Sequence, residues 1–252
     1  LAGDQSVAAC AKARDACIAE PDPEPELATR VGQFISEARQ AIASDADHQK
    51  PPNPAENASE SDSAMHELLV EAIDKGTFHL MFQSLYDTQD DQAQLFEVYV
   101  RLPLADGKMM TPDEFMPIAQ RFGLEGRLDR WVLLNACKHL KDHRRQYPQT
   151  RLLINLCAES LQDPSLPSLM GRLAQAVGGD INPLVLQFTE SDVISYLKLA
   201  INNIHEFREQ GCGISISNFG ASLQALDTLN MVEATMVKLE RNFVSDLSNE
   251  DN

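Results

Sequence analysis

Residues 184–218 read LVLQFTESDVISYLKLAINNIHEFREQGCGISISN, and this stretch decides the fold. It opens with a short apolar run, 184–189, bounded by polar residues, the signature of a strand buried on both faces. Over 191–210 the apolar residues Val193, Ile194, Leu197, Ile201, Ile204 and Phe207 recur at steps of three and four. That spacing puts them in one stripe on a helix, with Gly211 as its stop. Apolar character returns over 213–218, so the stretch is strand, crossover helix, strand, and the two strands are expected to run parallel.

Working outward, the same alternation extends in both directions. Strands are expected at 151–157 and 235–239 and helices at 165–177 and 222–229. Upstream, the pattern gives a helix at 65–75, strands at 79–86 and 95–104, and helices at 112–122 and 127–145. Repeated units of this kind build either an open doubly wound sheet or a closed (β/α)8 barrel. No glycine-rich phosphate loop follows any strand, which disfavours the nucleotide-binding open sheets. In barrels, function sits at the carboxyl ends of strands. Here those ends carry Glu97 to Arg101, Asn155, Thr189 and Glu190, Ser217 and Asn218, and Lys238 to Glu240. The pattern supplies six strands, against the eight of a complete barrel, so open edges and association with a further segment or chain are expected.

The region 1–64 has another character. An apolar stripe of Leu27, Val31, Phe34, Ile35, Ala38 and Ile42 follows the breaker run Pro21 to Pro25, which reads as a helix. Residues 45–64 turn to Pro, Asn, Ser, Asp and Glu and are expected to be a flexible linker. The division is therefore a helical segment 1–44, a linker 45–64 and an α/β domain 65–252.

A net charge of −17 with no block of Lys and Arg argues against DNA, RNA or an anionic membrane surface as the main partner. No apolar run approaches the roughly 18–20 residues of a membrane-spanning helix, and the expected location is cytoplasmic. Cys10, Cys17, Cys137, Cys157 and Cys212 are scattered without a C-x-x-C pair and read as free thiols. The histidines share no metal spacing, and Trp131 reads as core.

The strand-end residues, in this order, resemble the EAL domain family, whose active members hydrolyse cyclic di-GMP. The resemblance covers about 66–246. Gln83 stands at the glutamine of the family's first strand, and Glu97-Val98-Tyr99-Val100-Arg101-Leu102 resembles its E-A-L-x-R-[WL] signature with the second and third letters changed. Leu153-Ile154-Asn155-Leu156 resembles its V-N-L-S strand. Gln187-Phe188-Thr189-Glu190-Ser191 stands where the family has E-x-T-E-S, Ser217-Asn218-Phe219-Gly220 where it has D-D-F-G, and Val237-Lys238-Leu239-Glu240-Arg241 where it has [IL]-K-[IL]-D-[RG].

This resemblance implies a TIM-like EAL barrel lacking its last units, with cyclic di-GMP as ligand. By that analogy Gln83, Glu97, Tyr99, Arg101, Asp129 and Asn155 line the ligand site. Arg101 clamps a phosphate or pairs with a neighbouring carboxylate; Gln83 meets guanine or is solvated surface; Tyr99 stacks on guanine or fills the barrel mouth. Asp129 accepts from guanine or serves as a first-turn helix residue, and Asn155 contacts ligand or hydrogen-bonds within the mouth. The family's metal and catalytic positions fall on Gln187, Ser217, Asn218 and Lys238, of which the first three have lost their carboxylates. A two-metal site needs several placed carboxylates. The expectation drawn here is therefore a receptor that needs no metal or other cofactor and is not an enzyme. It would be similar to the FimX-type receptors of the type IV pilus system, which relay the signal to a PilZ-domain partner, and a homo-oligomer is a further expectation. The alternatives are a protein-interaction scaffold that no longer binds nucleotide, or a weak residual phosphodiesterase.

Overall fold

In the computed structural model of the chain, residues 59–87, 94–177, 181–222 and 225–240 are described. All belong to one unit, 38–252. The helical segment 1–44, and the linker up to residue 58, lie outside the described residues.

The first helix, α1 (Glu60–Lys75), begins within the stretch expected to be linker. Its start is set by a reciprocal cap: the Asp62 N–H donates to Ser59 Oγ at 3.1 Å, and the Ser59 N–H donates to Asp62 Oδ2 at 3.3 Å. Gly76, at φ 67°, closes it in the left-handed region that glycine adopts without strain. The strands β1 (His79–Leu85) and β2 (Gln94–Pro103) form an antiparallel pair, with His79 opposite Arg101 and Leu85 opposite Leu95. A two-residue strand, β3 (Met109–Met110), folds back on β2.

From there the chain follows the expected alternation. Helices α2 (Pro112–Arg121) and α3 (Glu125–Arg144) cross over to β4 (Thr150–Asn155), which pairs parallel with β2. A short helix α4 (Ala158–Gln162) and α5 (Leu166–Val177) lead to β5 (Leu184–Thr189). Then come α6 (Glu190–Ser195), α7 (Leu197–Glu209), β6 (Gly213–Phe219), α8 (Ala225–Val232) and β7 (Met236–Leu239). The main sheet runs β1-β2-β4-β5-β6-β7 with β3 beside β2, so the architecture is a TIM-like α/β sheet that does not close among the described residues.

Burial follows position in that order. The first five residues of β5 are buried, as a strand covered on both faces requires, whereas β1 and β7 at the two edges are largely exposed. The core gathers Phe115, Leu133, Ile154, Phe188 and Phe207, all at most 1% exposed. Trp131 joins it with its ring 5.6 Å from Phe78. The helix expected over 191–210 is interrupted: Tyr196, at φ −121° and ψ 29°, leaves helical geometry, and the break lets Ala200, Ile204 and Phe207 turn onto the sheet while Leu199 faces out. Gly211 ends α7 at φ +97°, with a close approach behind it, since a Cβ there would lie 1.8 Å from Asn182 Oδ1.

Candidate functional site

Parallel register brings Asn155, Gln187 and Ser215 into one row across β4, β5 and β6, all on the same face. The buried Ser215 hydroxyl donates to Gln187 Oε1 at 2.9 Å, Gln187 Nε2 donates to Asn155 Oδ1, and Asn155 Nδ2 donates to Glu97 Oε1 at 3.1 Å. Lys238 reaches in from β7 and donates to both Glu97 oxygens, at 2.9 and 3.0 Å. The Glu97 side chain is 3% exposed, that of Lys238 51%. Burial by itself would raise the Glu97 carboxyl, but the hydrogen bonds from Lys238, Asn155 and Tyr99 outweigh it and hold the group below its ordinary range.

Tyr99 lies two residues along β2 from Glu97, on the same face by strand alternation. Burial, and then its hydrogen bond to Glu97, push its phenol up to about 12. Arg101 continues that face: its Cζ lies 5.8 Å from the centre of the Tyr99 ring, and Nη1 donates to the Val100 carbonyl at 2.8 Å. Arg101 is thus set against a ring and a carbonyl, and the half-buried guanidinium sits beside an aromatic plane at the mouth.

The other expected residues lie around this centre in different ways. Gln83 is exposed and pairs in register with Glu97. Asp129, on α3, is buried and uses Oδ2 to accept from the Cys157 N–H at 2.8 Å and the Ser160 hydroxyl at 2.7 Å. It therefore ties α3 to the turn after β4, and burial pushes its carboxyl up to about 6. Ser217 donates to the Phe188 carbonyl at 3.3 Å. Asn218 is exposed at φ 52°, where the β6–β7 register is irregular between Ile216 and Phe219. Of the ten residues singled out by sequence, the structure joins Glu97, Tyr99, Asn155, Gln187 and Lys238 in one hydrogen-bonded set, gives Ser217 and Asp129 other partners, and leaves Asn218 outside the set on an exposed turn.

Ser215 was not singled out, and Glu190 stood only among the strand-end residues without a role. Ser215 anchors the row, and its signal was the alternation of Ser215 and Ser217 with isoleucine in Gly213-Ile214-Ser215-Ile216-Ser217. Glu190, 1% exposed, accepts from the Gly220 N–H at 2.7 Å, the Ala221 N–H at 3.2 Å and the Ser222 hydroxyl, and so fixes the loop after β6.

The divalent ions that the resemblance implies would need open carboxylate oxygens. At Glu97 both oxygens already accept from the Lys238 ammonium, so an ion there would have to displace it, and the Gln187 amide presents its NH2 to Asn155, which a cation cannot use. The described residues that could together hold a metal ion are Glu125, Cys157 and Glu159, with one ligand atom each within 4.8 Å of one another. They lie at the start of α3 and just after β4. Burial, and repulsion from Asp129, Glu159 and Asp192, push the Glu125 carboxyl up to about 7. A bound cation would relieve that repulsion.

A family model described as the EAL domain matches residues 66–252. The FimX EAL domain of Pseudomonas aeruginosa, solved bound to c-di-GMP, is 33% identical, with a TM-score of 0.69 over 74% of this chain and 75% of that one. The FimX EAL domain of Xanthomonas citri, also solved with c-di-GMP, is 27% identical, with a TM-score of 0.70 over 75% and 74%. Among curated relatives, the cyclic di-GMP phosphodiesterases PdeF of Escherichia coli and NbdA of Pseudomonas aeruginosa are each 27% identical over 184 residues, 73% of this chain. The chain spans 24% of the length of each of these two. These relatives correct the expectation that the chain is not an enzyme: proteins sharing its domain are named phosphodiesterases, and the carboxylates missing at Gln187, Ser217 and Asn218 do not exhaust the acidic groups, since Glu125 and Glu159 with Cys157 form another set that could hold a metal. With a match over residues 66–252 and the same fold in the FimX domains, the chain belongs to the EAL domain family.

Proposed function

We propose that the domain binds cyclic di-GMP at the carboxyl ends of β2 and β4 to β7, and passes its ligand state on through protein contacts. The observation that carries the reading is the placing of Arg101 beside the Tyr99 ring, next to the Glu97–Asn155–Gln187 row. A cyclic dinucleotide offers two kinds of group to such a mouth, phosphodiester oxygens for a guanidinium fork and guanine faces for an aromatic ring. Solved FimX domains that hold c-di-GMP support the choice of ligand. Gln83 and Asp129 are assigned to the guanine end of the same ligand. Binding requires no resident metal in this reading, because the Lys238 ammonium already answers the Glu97 charge. A PilZ-domain protein is the proposed partner, the chain acts in the cytoplasm where such a messenger would be read, and self-association is a further part of the proposal.

The test is calorimetric titration of cyclic di-GMP into the chain with EDTA and then with Mg, followed by chromatography of the nucleotide to read turnover. Equal affinity in both conditions is expected. A charge-assisted phosphate hydrogen bond is worth about 1.5–3 kcal/mol, so Arg101→Ala should weaken binding about ten- to a hundred-fold. No heat of binding at micromolar nucleotide, or an affinity indifferent to Arg101→Ala, would reject the reading. Co-sedimentation with a PilZ-domain protein, with and without nucleotide, tests the relay.

A further inference from the structure

We propose that Tyr99 is a positioning residue for Arg101: its hydroxyl, held by Glu97, fixes the ring, and the ring holds the guanidinium in the orientation that receives a phosphodiester. The inference rests on the cyclic di-GMP reading and adds to it the group that sets the arginine fork before the ligand arrives.

Glu97, Tyr99 and Arg101 are alternate residues of β2, so their side chains leave the sheet on one face. Glu97 is the fixed end of this line. Its side chain is 3% exposed, and its carboxylate accepts from Lys238 at 2.9 and 3.0 Å and from Asn155 at 3.1 Å. The Tyr99 hydroxyl donates to the same carboxylate. A bond to a charged acceptor is stronger than a neutral one, and here it ties the ring at its far end to a group that is itself held from two other strands. Met81 of β1 stands opposite Tyr99 in the antiparallel register and flanks it on the same face.

Arg101 is the other end of the line. It is half-buried, its Cζ lies 5.8 Å from the ring centre, within reach of a cation–π contact, and Nη1 donates to the Val100 carbonyl at 2.8 Å. The carbonyl ties one nitrogen to the neighbouring peptide, whereas the ring lies against the guanidinium as a whole. A guanidinium has five N–H donors, so the bond to Val100 does not exhaust the fork. Leucine, the letter of the signature that Tyr99 replaces, has neither a hydroxyl for Glu97 nor a π-face for the guanidinium. An arginine that is already ordered gives up less freedom on binding, and affinity rises without any new contact to the ligand. Stacking on guanine needs the ring alone; positioning of Arg101 needs the hydroxyl as well, and this difference makes the two roles separable.

The experiment titrates cyclic di-GMP by calorimetry into the full chain and into Tyr99→Phe, Tyr99→Leu, Arg101→Ala and the double variant Tyr99→Phe with Arg101→Ala. Tyr99→Phe keeps the ring and loses only the tether, and should weaken binding about three- to tenfold. Tyr99→Leu removes the ring too and should weaken it further. In the Arg101→Ala background Tyr99→Phe should change affinity by less than about twofold, since nothing is left to position. A readout without ligand accompanies these: nitrogen relaxation of the Arg101 Nε–H in the free chain, whose order parameter should fall in Tyr99→Phe while those of the other arginines stay as they were. An affinity that Tyr99→Phe leaves unchanged, a loss that persists in full in the Arg101→Ala background, or an Arg101 order parameter that Tyr99→Phe does not lower overturns the inference and leaves the cyclic di-GMP reading standing. Absence of binding by the unmodified chain, or an affinity indifferent to Arg101→Ala, rejects that reading, and the inference falls with it.

Discussion

Replacing Lys238 with methionine tests the centre of the proposed site. The substitution keeps the apolar stem and removes the ammonium that donates to both oxygens of Glu97. Breaking a fully buried ion pair costs about 3–5 kcal/mol, because the remaining charge is stranded, while an exposed pair is worth about 0–1 kcal/mol. With Glu97 3% exposed and Lys238 51%, the pair lies between these limits, and a loss of about 2 kcal/mol is expected at pH 7. The pH dependence carries a sign. Glu97 is held below its reference value of 4.5 in the folded protein, so its contribution is present above that pH and lost as pH falls through the folded value. Without Lys238 burial is less opposed, the carboxyl rises, and protonation in mild acid removes the stranded charge. Urea unfolding should therefore show the Lys238→Met penalty shrinking from about 2 kcal/mol at pH 7 to under about 1 kcal/mol at pH 4. In a Glu97→Gln background the same substitution should cost close to nothing, the mark of a pairwise interaction. A penalty that is the same at both pH values, or that persists in the Glu97→Gln background, would refute the account.

Asp129, raised from 3.8 to about 6, makes a contribution to stability that is fully present below about pH 4 and is lost as pH rises through the folded value. Asp129→Asn keeps an acceptor for Cys157 and Ser160 and should flatten that fall, by on the order of 2–3 kcal/mol between pH 4 and 7.5 in urea titrations; an unchanged pH profile would contradict it. Glu190→Gln keeps the side-chain shape but weakens charge-assisted acceptance from Gly220 and Ala221, so amide exchange at those residues should quicken before global unfolding is affected. Gly211→Ala meets both a φ of +97° and a 1.8 Å approach to Asn182 Oδ1, and should lower stability by at least about 1 kcal/mol in thermal melts.

The strands from 151 to 218 were legible because each is largely buried against helices, and a run of apolar residues between helices has few other readings. The edges were less so. β1 has no alternation to betray its antiparallel pairing, since most of its residues are exposed. The start of α1 was hidden by composition: the Ser59–Asp62 cap is a local signal, and it sits inside a polar stretch that otherwise reads as linker. The break at Tyr196 could not be read from the spacing of apolar residues, which continues across it. At the site, strand-end polar residues were visible as such, but which would touch depended on register, and register brought in Ser215 while leaving Ser217 and Asn218 outside. Asp129 was seen as a ligand residue or a helix residue; its bonds to Cys157 and Ser160 show a brace between two segments.

The row from Ser215 to Glu97 has a polarity. An ionised carboxylate only accepts, so Asn155 must turn its NH2 toward Glu97 and its oxygen toward Gln187. Gln187 must then give its NH2 to Asn155 and its oxygen to Ser215, whose hydroxyl is left to donate. No amide in the row can reverse alone, because each reversal would set two donors or two acceptors face to face. The charge on one residue of β2 thus dictates which way the side chains of β4, β5 and β6 point, and a proton placed on Glu97 would release all of them together.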